Sequence, residues 1–279
     1  MRFYTMATAA AAIMAASPAL AQEETKPFTI AGSVTLVNDY RFRGVSQSDE
    51  ELAVQGGISV THESGFYAGT WGSNLAGWGT FGGSNTELDL YGGFKTEVVS
   101  GVSVDVGLTW YMYPGGGASE TDFAEPYIKV STTVGPVSLL GGFAYAPKQQ
   151  ALGGWYLNGA SAQTGVYDLP GRKAANGYVW GDISSAIPDT GITLKAHLGY
   201  SEGNQGLGPN GTSVSPTGEY LDWMIGVDYT FSPLTFGISY VDTDITKKES
   251  AYLLPNFSST KDGSSIASGK ILFSVTAAF

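Results

Sequence analysis

The sequence has no cysteine, only two histidines, and charged residues at just 14% of its 279 positions. Without cysteine, neither a disulfide framework nor a thiolate metal site can form. Basic residues are scarce: 14 Lys and Arg face 25 Asp and Glu, a formal net charge of −11. Phosphate recognition needs clustered Lys and Arg, so a nucleic-acid partner is not expected. Beyond residue 21 no apolar run reaches the roughly 18 residues of a membrane-crossing helix. A mean hydropathy near zero is also too polar for a helical membrane protein, while the charge content is low for a soluble one.

What is present begins with an export pattern. Arg2, the apolar stretch Met6 to Ala16 and the A-x-A site Ala19-Leu20-Ala21 read as a secretory signal peptide over 1–21. The remainder, 22–279, reads as a single β-barrel domain.

Its organising stretch is Phe28 to Gly44. Phe28, Ile30, Gly32, Val34, Leu36, Asn38, Tyr40 and Phe42 share one phase of a two-residue period, and Thr29, Ala31, Ser33, Thr35, Val37, Asp39, Arg41 and Arg43 share the other. In a β-strand those phases are opposite faces. About ten such residues, tilted, cross the hydrocarbon of a bilayer. The same alternation recurs over 51–63, 66–75, 86–98, 102–113, 123–133, 137–145, 177–187, 192–200, 219–231, 234–240 and 266–279, for twelve strands in all. Even-numbered connections are short turns such as Ser64-Gly65 and Ser100-Gly101, and odd-numbered ones are longer and polar. That sorting is the habit of outer-membrane barrels and has no cause in a soluble sandwich. The expected fold is an all-β, transmembrane, antiparallel up-and-down barrel of about twelve strands, with short periplasmic turns and long extracellular loops.

With the stronger apolar phase facing lipid, the charges fall on the lumen side. The expected pore-lining residues are Asp39, Arg41, Arg43, Glu87, Asp89, Lys95, Asp105, Tyr111, Glu125, Lys129, Lys195, His197, Asp222 and Lys270, with Asp228 in the same phase. A charge on the lipid face near midplane would cost about 2–4 kcal/mol for a basic residue. His62 and Asp242 fall on the other phase, at strand ends. Tyr67, Trp71 and Leu75 are taken as the apolar phase of their strand. Tyr40, Phe42, Phe66, Tyr67, Trp110, Tyr229 and Phe231 are expected in interfacial girdles.

Two stretches, L-V-N-D-Y-R-F-R-G-V-S-Q-S (Leu36 to Ser48) and S-G-F-Y-A-G-T-W-G-S-N (Ser64 to Asn74), resemble the N-terminal signature of the TorF family of proteobacterial outer-membrane porins. The resemblance implies a barrel in the outer membrane of a Gram-negative bacterium, acting as a porin. The terminal Phe279 resembles the signal by which such barrels are handed to the barrel-assembly machinery. Expected partners are therefore that machinery, outer-membrane lipid and lipopolysaccharide, and small polar solutes.

The lumen charges allow two functions. Asp39, Arg41 and Arg43 on one wall, facing Glu51, Glu87, Asp89, Glu125 and Asp222 on the other, would set a transverse field selecting small polar solutes. Equally, the same groups would pair and rigidify a narrow barrel. The expected function is a channel for passive diffusion of small polar solutes, with selectivity set by lumen charges. The alternatives are a structural or adhesive barrel with a plugged lumen, or an outer-membrane hydrolase built on His62 or His197, for which no local motif exists. No catalytic residue, metal site or cofactor is assigned. Acidic Ser48 to Glu51 and Ser119 to Asp122 lack calcium-loop spacing and read as solvated surface. Gly77 to Gly83 and Gly115-Gly116-Gly117 read as flexible rim loops, and 146–176 as either the loop best placed to fold into the mouth or an exposed, mobile extracellular loop.

Overall fold

The computed structural model describes residues 27–279, and the expected signal peptide, 1–21, lies outside them. Twelve antiparallel strands close into one barrel: β1 (Phe28–Val37), β2 (Ala53–His62), β3 (Phe66–Asn74), β4 (Thr86–Val99), β5 (Val102–Met112), β6 (Phe123–Val134), β7 (Val137–Gln149), β8 (Ala174–Ala186), β9 (Ile192–Gly203), β10 (Glu219–Phe231), β11 (Leu234–Thr243) and β12 (Lys270–Ala278). Each strand pairs with its sequence neighbour, and β1 pairs with β12 at the seam, Ser33 opposite Ala278 and Val37 opposite Ser274. Closure leaves no unpaired sheet edge. The last residue completes the seam: Phe279 N–H donates to Gly32 O and Gly32 N–H to Phe279 O, each at 2.9 Å. A Cβ at Gly32 would run into the Phe279 ring, so the glycine makes room for that terminal aromatic.

The outer face is apolar. Ile30, Leu36, Ile58, Leu90, Val106, Leu108, Phe143, Leu198, Ile225, Ile238 and Phe273 all stand exposed on it. A continuous apolar band around a closed barrel is stable in hydrocarbon and not in water. Phe66, Trp110, Tyr229 and Phe231 are exposed on that face, at or near strand ends.

The inner face obeys a different rule, and β3 shows it. Tyr67 and Trp71 face the interior, with Trp71 buried, whereas Phe66 is outside; Leu75, expected in the same lipid-facing phase, is also buried. The apolar phase of this strand is thus the reverse of the expected one. A narrow lumen is packed with side chains, so large aromatics are stable there if a neighbour makes space. Glycines of adjacent strands do so: Gly93 lies against the Tyr67 ring, Gly69 against Tyr91 and Gly107 against Tyr127.

Two ends differ in construction. One rim carries short turns such as Gly135-Pro136 and Ser232-Pro233, while the other carries the segments 38–52, 75–85, 113–122, 150–173, 204–218 and 244–269. These long segments pack on one another. Trp78 meets Phe257 edge-on at 4.7 Å and Phe81 meets Tyr113 at 5.0 Å, around buried Leu207, Leu253 and Ile266. Gly77 to Gly83 is therefore two 3₁₀ turns holding a hydrophobic core, not a flexible loop. Ser48 to Glu51 is not solvated throughout either, because Asp49 is buried and accepts the Thr260 N–H at 3.1 Å. Ile266 lies in this cap rather than in the last strand, which starts at Lys270. β7 and β8 run longer than expected and shorten their connection to 150–173, which holds a short helix α1 (Gly159–Thr164) and packs Tyr156 against the 204–218 segment.

Candidate functional site in the barrel interior

The first connection enters the lumen, while Ala151, Leu152 and Tyr156 of the 150–173 segment are buried in the cap at the long-loop rim. β1 ends at Val37, short of the expected Gly44, and the chain folds inward as a small hairpin in which Arg41-Phe42 pairs with Val45-Ser46. Arg43 (φ 47°) and Gly44 (φ 79°) form its two-residue turn, both in the left-handed region that such tight turns require. The alternation of Tyr40 and Phe42 with Arg41 and Arg43 is that of a hairpin inside the barrel. Tyr40 is buried and Phe42 packs on the interior cluster, so neither belongs to an interfacial girdle.

Asp39 organises this hairpin. It accepts Arg41 Nε at 2.6 Å and the Ser46 hydroxyl at 2.6 Å. Arg41 Nη1 donates to Gly44 O and Ser268 O at 2.9 Å, and Nη2 to Glu50 at 3.1 Å. Lys270 Nζ donates to the same Glu50 at 2.8 Å. Arg43 then crosses the lumen. Its Nη2 reaches both oxygens of Glu125 on β6 at 2.7 Å, its Nη1 meets Asn176 Oδ1 on β8 at 3.0 Å, and its guanidinium lies 4.0 Å from the centre of the Tyr178 ring. Tyr111 OH donates to Glu125 at 3.3 Å. At the tip, a Cβ on Gly44 would clash with Thr243, which sets the hairpin against the β10–β11 wall. Guanidinium groups and carboxylates thus meet in direct ion pairs. They do not face one another across a gap, and Asp39, Arg41 and Arg43 do not share a strand stripe. Glu51 is at the rim, paired with Lys261 at 2.8 Å.

Glu87 and Asp89 lie on the inner face of β4. Tyr40 OH donates to Glu87 Oε1 at 3.2 Å, while both Asp89 oxygens are buried without a hydrogen-bond partner. Across the lumen, His197 Nδ1 meets Asp182 at 2.7 Å and Nε2 meets Asp222 at 3.1 Å and Tyr178 OH at 2.9 Å. With a carboxylate at each ring nitrogen, both positions are satisfied as donors only in the imidazolium. Gly199 seats the Tyr178 ring that joins this group to Arg43.

Toward the short-turn rim the interior is looser. Lys195 pairs with Asp228 at 2.7 Å and Lys129 with Asp105 at 3.5 Å, all four partly exposed. Tyr67 OH donates to Asp105 and also meets Tyr127 OH. Lys95 stands opposite Asp105 in the β4–β5 register. His62 and Asp242 sit at or beside the ends of β2 and β11 and bond locally to Ser64 and Tyr240. Sequence reasoning missed Asp182, Asn176, Tyr178 and Glu50 as partners of the expected site residues. For Tyr178 a signal existed in the phase of β8, where Tyr178, Trp180 and Asp182 alternate with Val179 and Ile183.

A closed twelve-stranded antiparallel wall, apolar outside and ionisable inside, defines a transmembrane β-barrel. Comparison with solved structures agrees at the level of fold. The NanC porin aligns with TM-score 0.54 at 12% identity, covering 90% of this chain and 99% of that one. The KdgM porin aligns at 0.50 and 10% identity, over 90% and 98%, and the KdgM porin in complex with disordered oligogalacturonate at 0.50 and 9%, over 90% and 98%. The chain belongs to the family described as a bacterial protein of unknown function (Gcw_chp), whose model matches residues 21–279. No curated protein matches it significantly.

Proposed function

We propose that this protein is a porin-like channel of the Gram-negative outer membrane, passing small polar solutes by passive diffusion with selectivity set by its lumen charges. The observation that carries the proposal is the two-faced closed wall: exposed aliphatics and aromatics outside, ion pairs and hydrogen-bonded tyrosines inside. In porins a polar lumen of this kind holds a water-filled channel. The fold likeness to NanC and KdgM, both porins, supports it. The expected pore-lining residues from Asp39 to Lys270 form the selectivity surface, narrowed by the hairpin bearing Arg43. The two stretches resembling TorF-family porins meet inside the barrel, where Tyr40 packs edge-on against Trp71 at 5.4 Å. A signature spread over residues 36–48 and 64–74 thereby becomes one device, the inserted hairpin and its seat. The export pattern ending at Ala21, where the family match begins, supports delivery across the inner membrane. The proposal includes recognition of the strand ending in Phe279 by the barrel-assembly machinery and contact of the long-loop rim with lipopolysaccharide.

Planar-bilayer recording of the mature protein tests this, with liposome swelling for neutral solutes. The expected result is a small, stable conductance that rises when Arg41→Ala and Arg43→Ala release the hairpin. Unchanged conductance and selectivity in that double variant would remove the hairpin as the constriction. A second reading has its own support, since Arg43 bridges the lumen to β6 and β8. A correctly folded barrel with no conductance at all would make this a structural or adhesive barrel with a plugged lumen.

A further inference from the structure

Charge bookkeeping inside the long-loop half does not close. Arg41 is held by Asp39 and Glu50, Lys270 by Glu50, Arg43 by Glu125, and His197 by Asp182 and Asp222. Glu87 and Asp89 have no cationic partner among the described residues. They stand two residues apart on the inner face of β4, about 7 Å between Cα atoms. Asp89 is 1% exposed and both its oxygens lack any hydrogen-bond partner. A carboxylate removed from water without a counter-charge is strongly disfavoured.

We infer that Glu87 and Asp89 bind a small, largely dehydrated monovalent cation, Na⁺ or K⁺, in the lumen; this deepens the channel reading and rests on it. Size follows from enclosure. Trp71 and Tyr111 stand directly opposite Asp89 on the two neighbouring strands, and the Tyr40 hydroxyl closes over Glu87. A bulky organic cation has no room beside oxygens so enclosed. Valence follows from ligand count. Calcium takes six to eight oxygens, and no group of three or more His, Cys, Asp or Glu among the described residues is arranged to hold a metal ion. Two carboxylates and a tyrosine hydroxyl suit an ion of single charge, bound loosely enough to move on.

The test is thermal unfolding of the purified mature barrel in detergent at fixed ionic strength, in NaCl, KCl or N-methyl-D-glucamine chloride, paired with reversal potentials under a KCl gradient. Ligand binding to the folded state raises the melting temperature. The expected result is a higher melting temperature in Na⁺ or K⁺ than in N-methyl-D-glucamine, lost in Asp89→Asn, with the K⁺ over Cl⁻ permeability ratio falling roughly threefold or more in that variant. If Asp89→Asn fails to fold, Glu87→Gln takes its place in the same comparison. Identical melting in all three salts overturns the site, even if conductance is present and the channel reading survives. A cation-dependent shift without conductance keeps the site and sinks the channel. A melting temperature set by millimolar Ca²⁺ in preference to Na⁺ and K⁺ also overturns the assignment.

Discussion

The two halves of the barrel interior hold similar side chains under different constraints. Near the long loops, Arg43 at the tip of the inserted hairpin and Glu125, Tyr178 and Asp222 around it are buried beneath a hydrophobic cap. Near the short turns, Lys195, Asp228, Lys129 and Asp105 keep 12–17% of their side-chain surface. Inserting one hairpin changes the dielectric around half of the lumen. The same ion pair is then strong and unforgiving at one end, and screened and replaceable at the other. In the proposed channel, the long-loop half is the part that would set what passes, and the short-turn half the more open vestibule.

Breaking the buried half should cost most. Arg43→Met leaves Glu125 enclosed without its counter-charge and should destabilise the barrel by about 3–5 kcal/mol, read as a lower urea midpoint in lipid or detergent. Adding Glu125→Gln should recover much of that loss, whereas a loss unchanged in the double variant would show that the pair is not what holds the hairpin. Next comes Gly199→Val, whose side chain would occupy the seat of Tyr178. Overpacking of this kind costs about 1–3 kcal/mol, and Tyr178→Ala in the same background should reduce it. In the open half, Lys195→Met should cost about 1 kcal/mol or less, because Asp228 remains partly hydrated. A cost as large as that of Arg43→Met would erase the distinction between the halves.

The smallest effect lies outside the lumen. In helix α2 (Lys247–Ser250) the backbone N–H and hydroxyl of Thr246 hold the Glu249 carboxylate below its ordinary pKa. A depressed carboxylate stabilises above its unfolded pKa and loses that contribution as pH falls through the folded one. Acid should therefore fray this turn of the cap, seen as faster amide exchange at Thr246 and Glu249. Glu249→Gln should abolish that pH dependence without altering the melting of the wall.

The amino-acid sequence alone determined the wall. Twelve segments with a two-residue period, short and long connections in strict alternation and charges confined to one phase, His62 and Asp242 at strand ends apart, are local patterns. Hydrocarbon enforces them strand by strand, since every outward residue meets the same apolar solvent. β3 escaped because lipid penalises charge but tolerates Thr70 and Ala68, leaving its phase undecided; Gly69 beside Tyr67 and Trp71 was the available sign of an inner face. Only the tertiary structure decided the fate of residues 38–50. A strand running outward and a hairpin folding inward share one alternation, and Arg43-Gly44 was the sole local hint of a turn. What separates them is the set of partners offered by Glu125, Asn176 and Thr243, far along the chain and brought near Arg43 and Gly44 only when the barrel closes.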